Sequence, residues 1–296
     1  MSRNSMKLST STLGCLKWGL PEVINKLVNY GYDGVDFRGL RGELSLWKLP
    51  EFSSNLSESA TRIRDAGLTV SCISSGIHLT EQSSAKVAEY DDELKHTLAV
   101  CDKLDCRQIR IFGGALSSCG NATESERDSV LPRVAERLCN LAENAAKSSR
   151  SVKLLVETHD DFISSEHIGA LLESANSNNV ECCWDIKHTC WVARETPQAT
   201  WKRLKPWITN THWKDVQPVT GGGQNATQSA ERIKDTGRLC PMGQGVLPLK
   251  ETVNLLQTDG YNGWFTFEWE KLWHPHIEEP EISFPGFVNF MRALQQ

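Results

Sequence analysis

Four apolar runs in the second half of the chain each end in residues able to bind a metal ion. That recurrence constrains the fold more than any bulk property. LLVETHDD delivers Glu157, CCWDIKHT delivers Asp185 and His188, ITNTHWKD delivers His212, and GWFTFEWE delivers Glu268 and Glu270. Each run is short and rich in β-branched, aliphatic or aromatic residues, so it reads as a strand. Parallel strands that present carboxylate, carboxylate plus imidazole, imidazole and carboxylate at the same end predict one metal-centred site at the mouth of a barrel.

The rest of the chain repeats one unit: a strand, a polar loop and an amphipathic helix. Strands are predicted at residues 7–12, 34–38, 68–74, 108–112, 152–157, 180–185, 208–213 and 264–268. The first helix opens at Leu20-Pro21, where proline lacks only an N–H that has no partner, and Gly31 stops it. Further helices are expected at 56–66, 85–104, from the capping-box pair Thr123 and Glu126 to about 147, and at 165–174, 200–204, 247–257 and 285–294. Eight such units within 296 residues, with no linker between them, fit a single α/β domain over 1–296, a closed (β/α)8 or TIM barrel. A doubly wound open sheet is the alternative, but no GxGxxG follows the first strand and no Walker-type glycine loop is present.

With 39% hydrophobic and 23% charged residues, the composition suits a globular core. The net charge of −5 and the absence of a basic stripe argue against a nucleic-acid partner. No run approaches the ~18 apolar residues of a membrane span, and the N-terminal MSRNSMKLSTSTLG has no apolar signal core. The expectation is a cytoplasmic protein with no membrane partner. The ten cysteines are scattered without metal-finger spacing, and Cys72, Cys101, Cys139 and Cys182 fall inside predicted elements as small apolar filler, which suits a reducing compartment.

Three carboxylates and one imidazole form a mostly hard donor set, suited to Mn²⁺ first, then Mg²⁺ or Co²⁺, with Zn²⁺ as an alternative. The bland alternative is a set of unconnected loop charges. Side chains two apart on a strand share a face, so His159 accompanies Glu157 and Lys214 accompanies His212 toward the pocket. Glu268 and Glu270 share a face as well; Glu268 ends the apolar run and is taken as the ligand. His188 reaches substrate or metal, or supports the site from behind.

Lys214 is expected to hold a substrate oxygen, or else to pair with Asp215 or a barrel carboxylate. Arg38, at the end of the second strand with Asp36, offers a fork for a substrate carboxylate or phosphate, with a structural salt bridge as the alternative. His78, after the third strand, and Trp273, in the long loop after the eighth, are candidate substrate contacts. GGGQNATQS at 221–229 reads as a flexible loop or lid, and Met242-Gly243-Gln244-Gly245 as a tight turn at the pocket rim.

Six segments resemble the xylose isomerase-like barrel superfamily, in its sugar phosphate isomerase/epimerase branch. They are GYDGVDFRG at 31–39, LLVETHDD at 154–161, WDIKHT at 184–189, THWKD at 211–215, MGQGVLP at 242–248 and GYNGWFTFEWE at 260–270. The resemblance implies a divalent metal held by Glu157, Asp185, His212 and Glu268, with His188 near a small carbohydrate substrate. It also implies a homodimer, although no interface is legible in the sequence. Ketose 3-epimerases usually carry an Arg shortly after the seventh-strand His, where this chain reads HWKDVQPVTGG. Its His-x-Lys-Asp is commoner among dehydratase-like members.

The implied chemistry is proton removal next to a metal-bound carbonyl through an enediolate. Glu157 and Glu268 act as the exchanging carboxylates, with His188 and Lys214 as further catalytic groups. The first functional expectation is a metal-dependent sugar or sugar phosphate isomerase or epimerase. The second is a metal-dependent lyase or dehydratase on a keto-sugar, keto-cyclitol or 3-keto-glycoside. The third, from another class, is a barrel that binds carbohydrate and catalyses nothing.

Overall fold

The computed structural model describes residues 5–116, 122–148, 151–218 and 237–295. Eight parallel strands close into a barrel: β1 (Lys7–Ser11), β2 (Gly34–Phe37), β3 (Thr69–His78), β4 (Gln108–Phe112), β5 (Lys153–Glu157), β6 (Val180–Asp185), β7 (Ile208–Trp213) and β10 (Trp264–Phe267). They pair in chain order, and β10 closes the ring by pairing with both β7 and β1. The helices outside it are α1 (Leu20–Tyr30), α2 (Leu56–Asp65), α3 (Ser84–Leu104), α4 (Glu124–Ala146), α5 (Ser165–Ala175), α6 (Pro197–Leu204), α7 (Leu249–Thr258) and α8 (Pro280–Ala293).

Local signals set the helix ends. Gly31, at φ +86°, closes α1 with its N–H on the carbonyls of Leu27 and Val28. At the start of α4 the Thr123 hydroxyl accepts the Glu126 N–H, and the Glu126 carboxylate accepts the Thr123 N–H at 2.7 Å. Such a cap is worth about 1 kcal/mol.

Strand alternation then sorts the side chains. On β5, Leu154 and Val156 join the main apolar cluster beneath the helices, whereas Leu155 and Glu157 take the opposite face. The barrel interior is partly polar, and its polar groups meet one another. Ser9 bonds Ser71 at 2.6 Å, and Thr266 donates to Asn210 at 2.8 Å. Gly34 is required where β2 enters the ring, since a Cβ there would lie 2.8 Å from the Thr69 carbonyl and 2.9 Å from the Trp264 ring.

Three differences from the sequence expectation matter. β3 runs past residue 74 to His78, with an irregular register against β4 between Ser74 and His78, so His78 ends a strand rather than following one. A two-stranded antiparallel ribbon, β8 (Asp215–Gln217) with β9 (Arg238–Cys240), rises from the end of β7. The last helix starts at Pro280, and Pro285 lies inside it, where burial of Phe284, Phe287, Val288 and Met291 outweighs the lost hydrogen bond. The glycine-rich stretch 221–229 lies outside the described residues. Among the described residues no helix is long and apolar enough to cross a membrane.

Candidate metal centre

Glu157 ends β5, Asp185 ends β6, His212 lies on β7, and Glu268 directly follows β10. The strand register pairs Asp185 with His212, while Glu157 lies opposite Cys183 and Glu268 two residues beyond Thr266, the partner of His212, so neighbouring ligands differ by at most one two-residue step on the same face. Each offers a donor atom, and these atoms all lie within 4.8 Å of one another. All four residues are buried. His212 Nδ1 stands between two of the carboxylates, 3.1 Å from Glu157 Oε1 and 3.2 Å from Glu268 Oε1. Glu270, on the same face as Glu268, lies outside this group of four.

Cations surround the acids. Arg110, itself 1% exposed on β4, sets Nε 3.2 Å from Glu157 Oε2 and donates from Nη1 to the Ser75 carbonyl at 3.0 Å. Lys214, fully buried, contacts Asp185 Oδ2 at 2.8 Å, Glu270 Oε1 at 2.6 Å, and Glu268 Oε2. Two of its N–H groups donate to Glu268 and Glu270, while Asp185 Oδ2 lies within ion-pair distance without an aligned hydrogen bond. Of the two sequence expectations for Lys214, the pair with barrel carboxylates is the contact present. Asp215 is not the partner. Its carboxylate instead accepts the backbone N–H groups of Val216, Gly243, Gly245 and Leu247, which shapes the MGQG turn.

The electrostatics follow from this crowding. Burial alone would raise the Glu268 carboxyl, but Lys214 and His212 overcome it and hold the group well below the ordinary 4.5. For Glu157, burial and Glu268 push upward, while Arg110 and His212 prevail and lower it. His212 is raised well above 6.5 against its burial, and the carboxylates of Glu268 and Glu157 hold its proton. Cys183 is also close, but burial pushes its thiol up to about 12, so it carries no charge at neutral pH.

His188 behaves in the opposite way. Burial, then the neighbouring His159, Lys214 and Lys187, depress it well below 6.5. Its Nδ1 lies 2.9 Å from the Thr158 carbonyl, which can only accept, so the neutral ring carries its hydrogen there. Nε2 is left with a lone pair.

His159 meets His188 edge-on, with ring centroids 4.7 Å apart, and places Nδ1 2.9 Å from Asp160. His78 stacks on Phe112 at 4.8 Å on the rim and is half-exposed. Arg38 is half-buried in the field of Arg110, Glu93, Asp36 and Glu268, and no described carboxylate pairs with it. Burial and Arg110 lower its guanidinium to about 10. Trp273 is 55% exposed and takes no ring contact among the described residues, so the structure does not bring it to the cluster.

Sequence reasoning missed Arg110. Arg110 had a signal: one charged residue between Ile109 and Ile111 in an otherwise apolar strand must find a buried partner.

The group of four fits a divalent ion. Its donors are hard oxygens with one imidazole nitrogen, and Glu157 Oε2 and Asp185 Oδ2 are enclosed without a well-aligned hydrogen-bond donor. Asp36 Oδ2, held by the Ser74 hydroxyl at 2.8 Å, lies 3.7 Å from His212 Nε2 and backs that ring from the far side.

A family model described as xylose isomerase-like TIM barrel matches residues 24–283. No curated protein sequence matches the chain. Among solved structures, a probable 3-DHS dehydratase involved in petrobactin synthesis in Bacillus anthracis superposes with a TM-score of 0.73 at 15% identity, covering 98% of this chain and 99% of that one. A 3-keto-D-glucoside 4-epimerase from E. coli gives 0.73 at 14% identity, covering 98% and 100%. The IOLI protein with a bound zinc atom gives 0.71 at 15%, covering 98% and 96%. At such identities the likeness is one of fold.

Proposed function

The chain belongs to the xylose isomerase-like TIM barrel family, and from that premise we propose that it is a divalent-metal-dependent isomerase or epimerase acting on a sugar or sugar phosphate. The observation that carries this reading is the meeting of Glu157, Asp185, His212 and Glu268 within 4.8 Å at the C-terminal mouth of the barrel. These four residues would hold the ion, Mn²⁺ by preference. When bound, it supplies Lewis-acid polarisation of a substrate carbonyl. The dehydratase and epimerase among the fold neighbours, and the neighbour that carries zinc, are in keeping with this reading.

The chain's own residues supply the proton chemistry. Glu157 and Glu268 are both held ionised, so each is a base rather than an acid at neutral pH. They come from β5 and β10, with β6 and β7 between them. One carboxylate takes the proton from the carbon next to the carbonyl and, now a carboxylic acid, returns it to the adjacent carbon of the enediolate; inversion at a single carbon requires that the other carboxylate first take up a proton from water and deliver it to the opposite face. His188, neutral with its lone pair on Nε2, accepts a hydrogen bond from a substrate hydroxyl. Lys214 positions Asp185 and Glu268 rather than touching substrate.

A lyase asks for an acid beside a leaving hydroxyl. Lys214 donates to Glu268 and Glu270 and His188 is held neutral, whereas the carboxylate that removes the carbon-bound proton becomes the acid that an isomerase needs, so the isomerase or epimerase reading is preferred. The test is incubation of the Mn²⁺-loaded protein with keto-sugars in heavy water. We expect deuterium at the carbon beside the carbonyl without loss of water, and a fall of about 10²–10⁴ in Glu157→Gln. Stoichiometric metal uptake with no exchange on any ketose would leave a carbohydrate-binding barrel.

A further inference from the structure

Arg38 directly follows β2 and is half-buried, yet its side chain is uncommitted. The Thr12 hydroxyl accepts its backbone N–H at 3.0 Å, but among the described residues its guanidinium makes no hydrogen bond and no ion pair. None of its nitrogens is enclosed, so a ligand can reach them. By contrast, Arg110 is turned to Glu157, Lys214 donates to Glu268 and Glu270, and Arg41 is bonded to Glu51. Glu93 shares the corner with Arg38, but its carboxylate accepts the Gly76 N–H at 2.7 Å and forms no ion pair with the guanidinium. At about 10, the guanidinium keeps its charge at neutral pH.

Contacts place this cation at the barrel mouth. Asp36, two residues earlier and so on the same face, sets Oδ2 3.7 Å from His212 Nε2. Arg38 Nη2 lies 3.7 Å from the point where a Cβ on Gly76 would sit. The residue before Gly76, Ser75, offers its carbonyl to Arg110 Nη1 at 3.0 Å, and Arg110 Nε stands 3.2 Å from Glu157 Oε2. A short chain of contacts therefore links Arg38 to the acid cluster. In the closed ring, β2 is four strands from β6 in either direction, so Arg38 stands across the mouth from Asp185. A molecule whose carbonyl end lies among Glu157, Asp185, His212 and Glu268 would point its far end toward β2.

We propose that Arg38 receives an anionic group, a carboxylate or a phosphate, carried at the end of the sugar remote from its carbonyl. A guanidinium offers paired N–H donors that match two oxygens of either anion. The inference rests on the reading of the barrel mouth as a keto-sugar site and adds to it where the substrate carries its charge.

The experiment measures calorimetric affinities of the Mn²⁺-treated full chain for D-fructose, D-fructose 6-phosphate, 5-keto-D-gluconate and D-fructose 1-phosphate. Wild type should bind the 6-phosphate or the keto-gluconate, whose anions are remote from the carbonyl, about tenfold more tightly than fructose. Arg38→Met should abolish that margin. The same substitution should weaken the 1-phosphate less, because its anion sits beside the carbonyl. Arg41→Met should keep the margin, since that guanidinium is already bonded to Glu51. Arg38→Met should melt like wild type, because it breaks no hydrogen bond or ion pair among the described residues; Arg38→Gln serves the same test should the Met variant not fold.

The inference is overturned if neither remote-anion sugar binds more tightly than fructose, if Arg38→Met keeps the margin, or if Arg41→Met removes it too. Equal losses for the 1-phosphate and the 6-phosphate would also overturn it, since they would show a general field rather than a contact at the far end. A preference for phosphate over carboxylate, or the reverse, identifies which anion is received. If fructose binds and no margin exists, the keto-sugar reading stands and this inference falls. If none of the four sugars binds, the keto-sugar reading falls and takes this inference with it. Manganese content of the same samples reads the metal assignment separately.

Discussion

Lys214 and Asp185 are joined by a 2.8 Å ion pair across the neighbouring ends of β7 and β6. The same ammonium reaches Glu268 and Glu270 beyond β10. One buried lysine thus ties three strand ends together and neutralises two of the four residues proposed to bind metal.

Replacing Lys214 with Met should cost the metal-free protein about 3–5 kcal/mol, the usual penalty for removing one side of a buried ion pair. The cost should shrink when Mn²⁺ is bound, because the ion brings positive charge to the same carboxylates. Urea unfolding with and without Mn²⁺ measures both quantities. Equal losses would show that lysine and metal do not act on the same acids.

Glu268 and Glu270 should separate cleanly by substitution. Glu268→Gln removes a donor from the group of four and should lower Mn²⁺ affinity by at least about tenfold. Glu270→Gln removes only a partner of Lys214 and His274, so stoichiometric binding should persist. Calorimetric titration of the two variants decides it. Stronger loss in Glu270→Gln would transfer the ligand role.

Metal affinity should rise with pH. His212 is raised well above 6.5 without metal, so an ion has to displace its proton. Apparent Mn²⁺ affinity should gain about tenfold per pH unit until His212 loses its proton unaided. The metal-free fold responds in the opposite sense. A raised imidazole stabilises fully below 6.5, and that contribution is lost as pH rises through the raised value. Titrations at several pH values read the first effect and melting curves the second; a flat affinity profile would mean that His212 is not the displaced group.

Asp215→Ala should loosen the rim without emptying the centre. Its carboxylate accepts four backbone N–H groups, from Val216, Gly243, Gly245 and Leu247. Losing them should cost roughly 2–4 kcal/mol and speed amide exchange at residues 243–247, with Mn²⁺ stoichiometry unchanged. Unaltered exchange there would show that the turn holds its own shape.

Much of the barrel could be read in advance because its strands are apolar runs that stop abruptly at polar residues. The runs ending at Phe112, Asp185 and Trp213 are of this kind and match β4, β6 and β7 residue for residue. β3 was underestimated because Ser74-Ser75-Gly76 interrupts its apolar pattern while the backbone continues to His78. The β8–β9 ribbon gave no signal, since its strands are only three residues each and lie far apart in sequence. Strand parity placed Lys214 on the pocket side, but parity says nothing of how many acids compete for its protons.

The pairing of the cluster's acids with Arg110, His212 and Lys214 bears on order of assembly. Domains such as zinc fingers stay unfolded until the metal arrives, because nothing else in the chain balances their ligands. Here the balancing charges are part of the polypeptide, so the barrel reaches its final shape first and an incoming ion exchanges with side chains already in place. Metal then becomes a replaceable part. On the proposed metal reading, a chelator is expected to remove activity without unfolding the protein, and a returning ion to restore it with no refolding step.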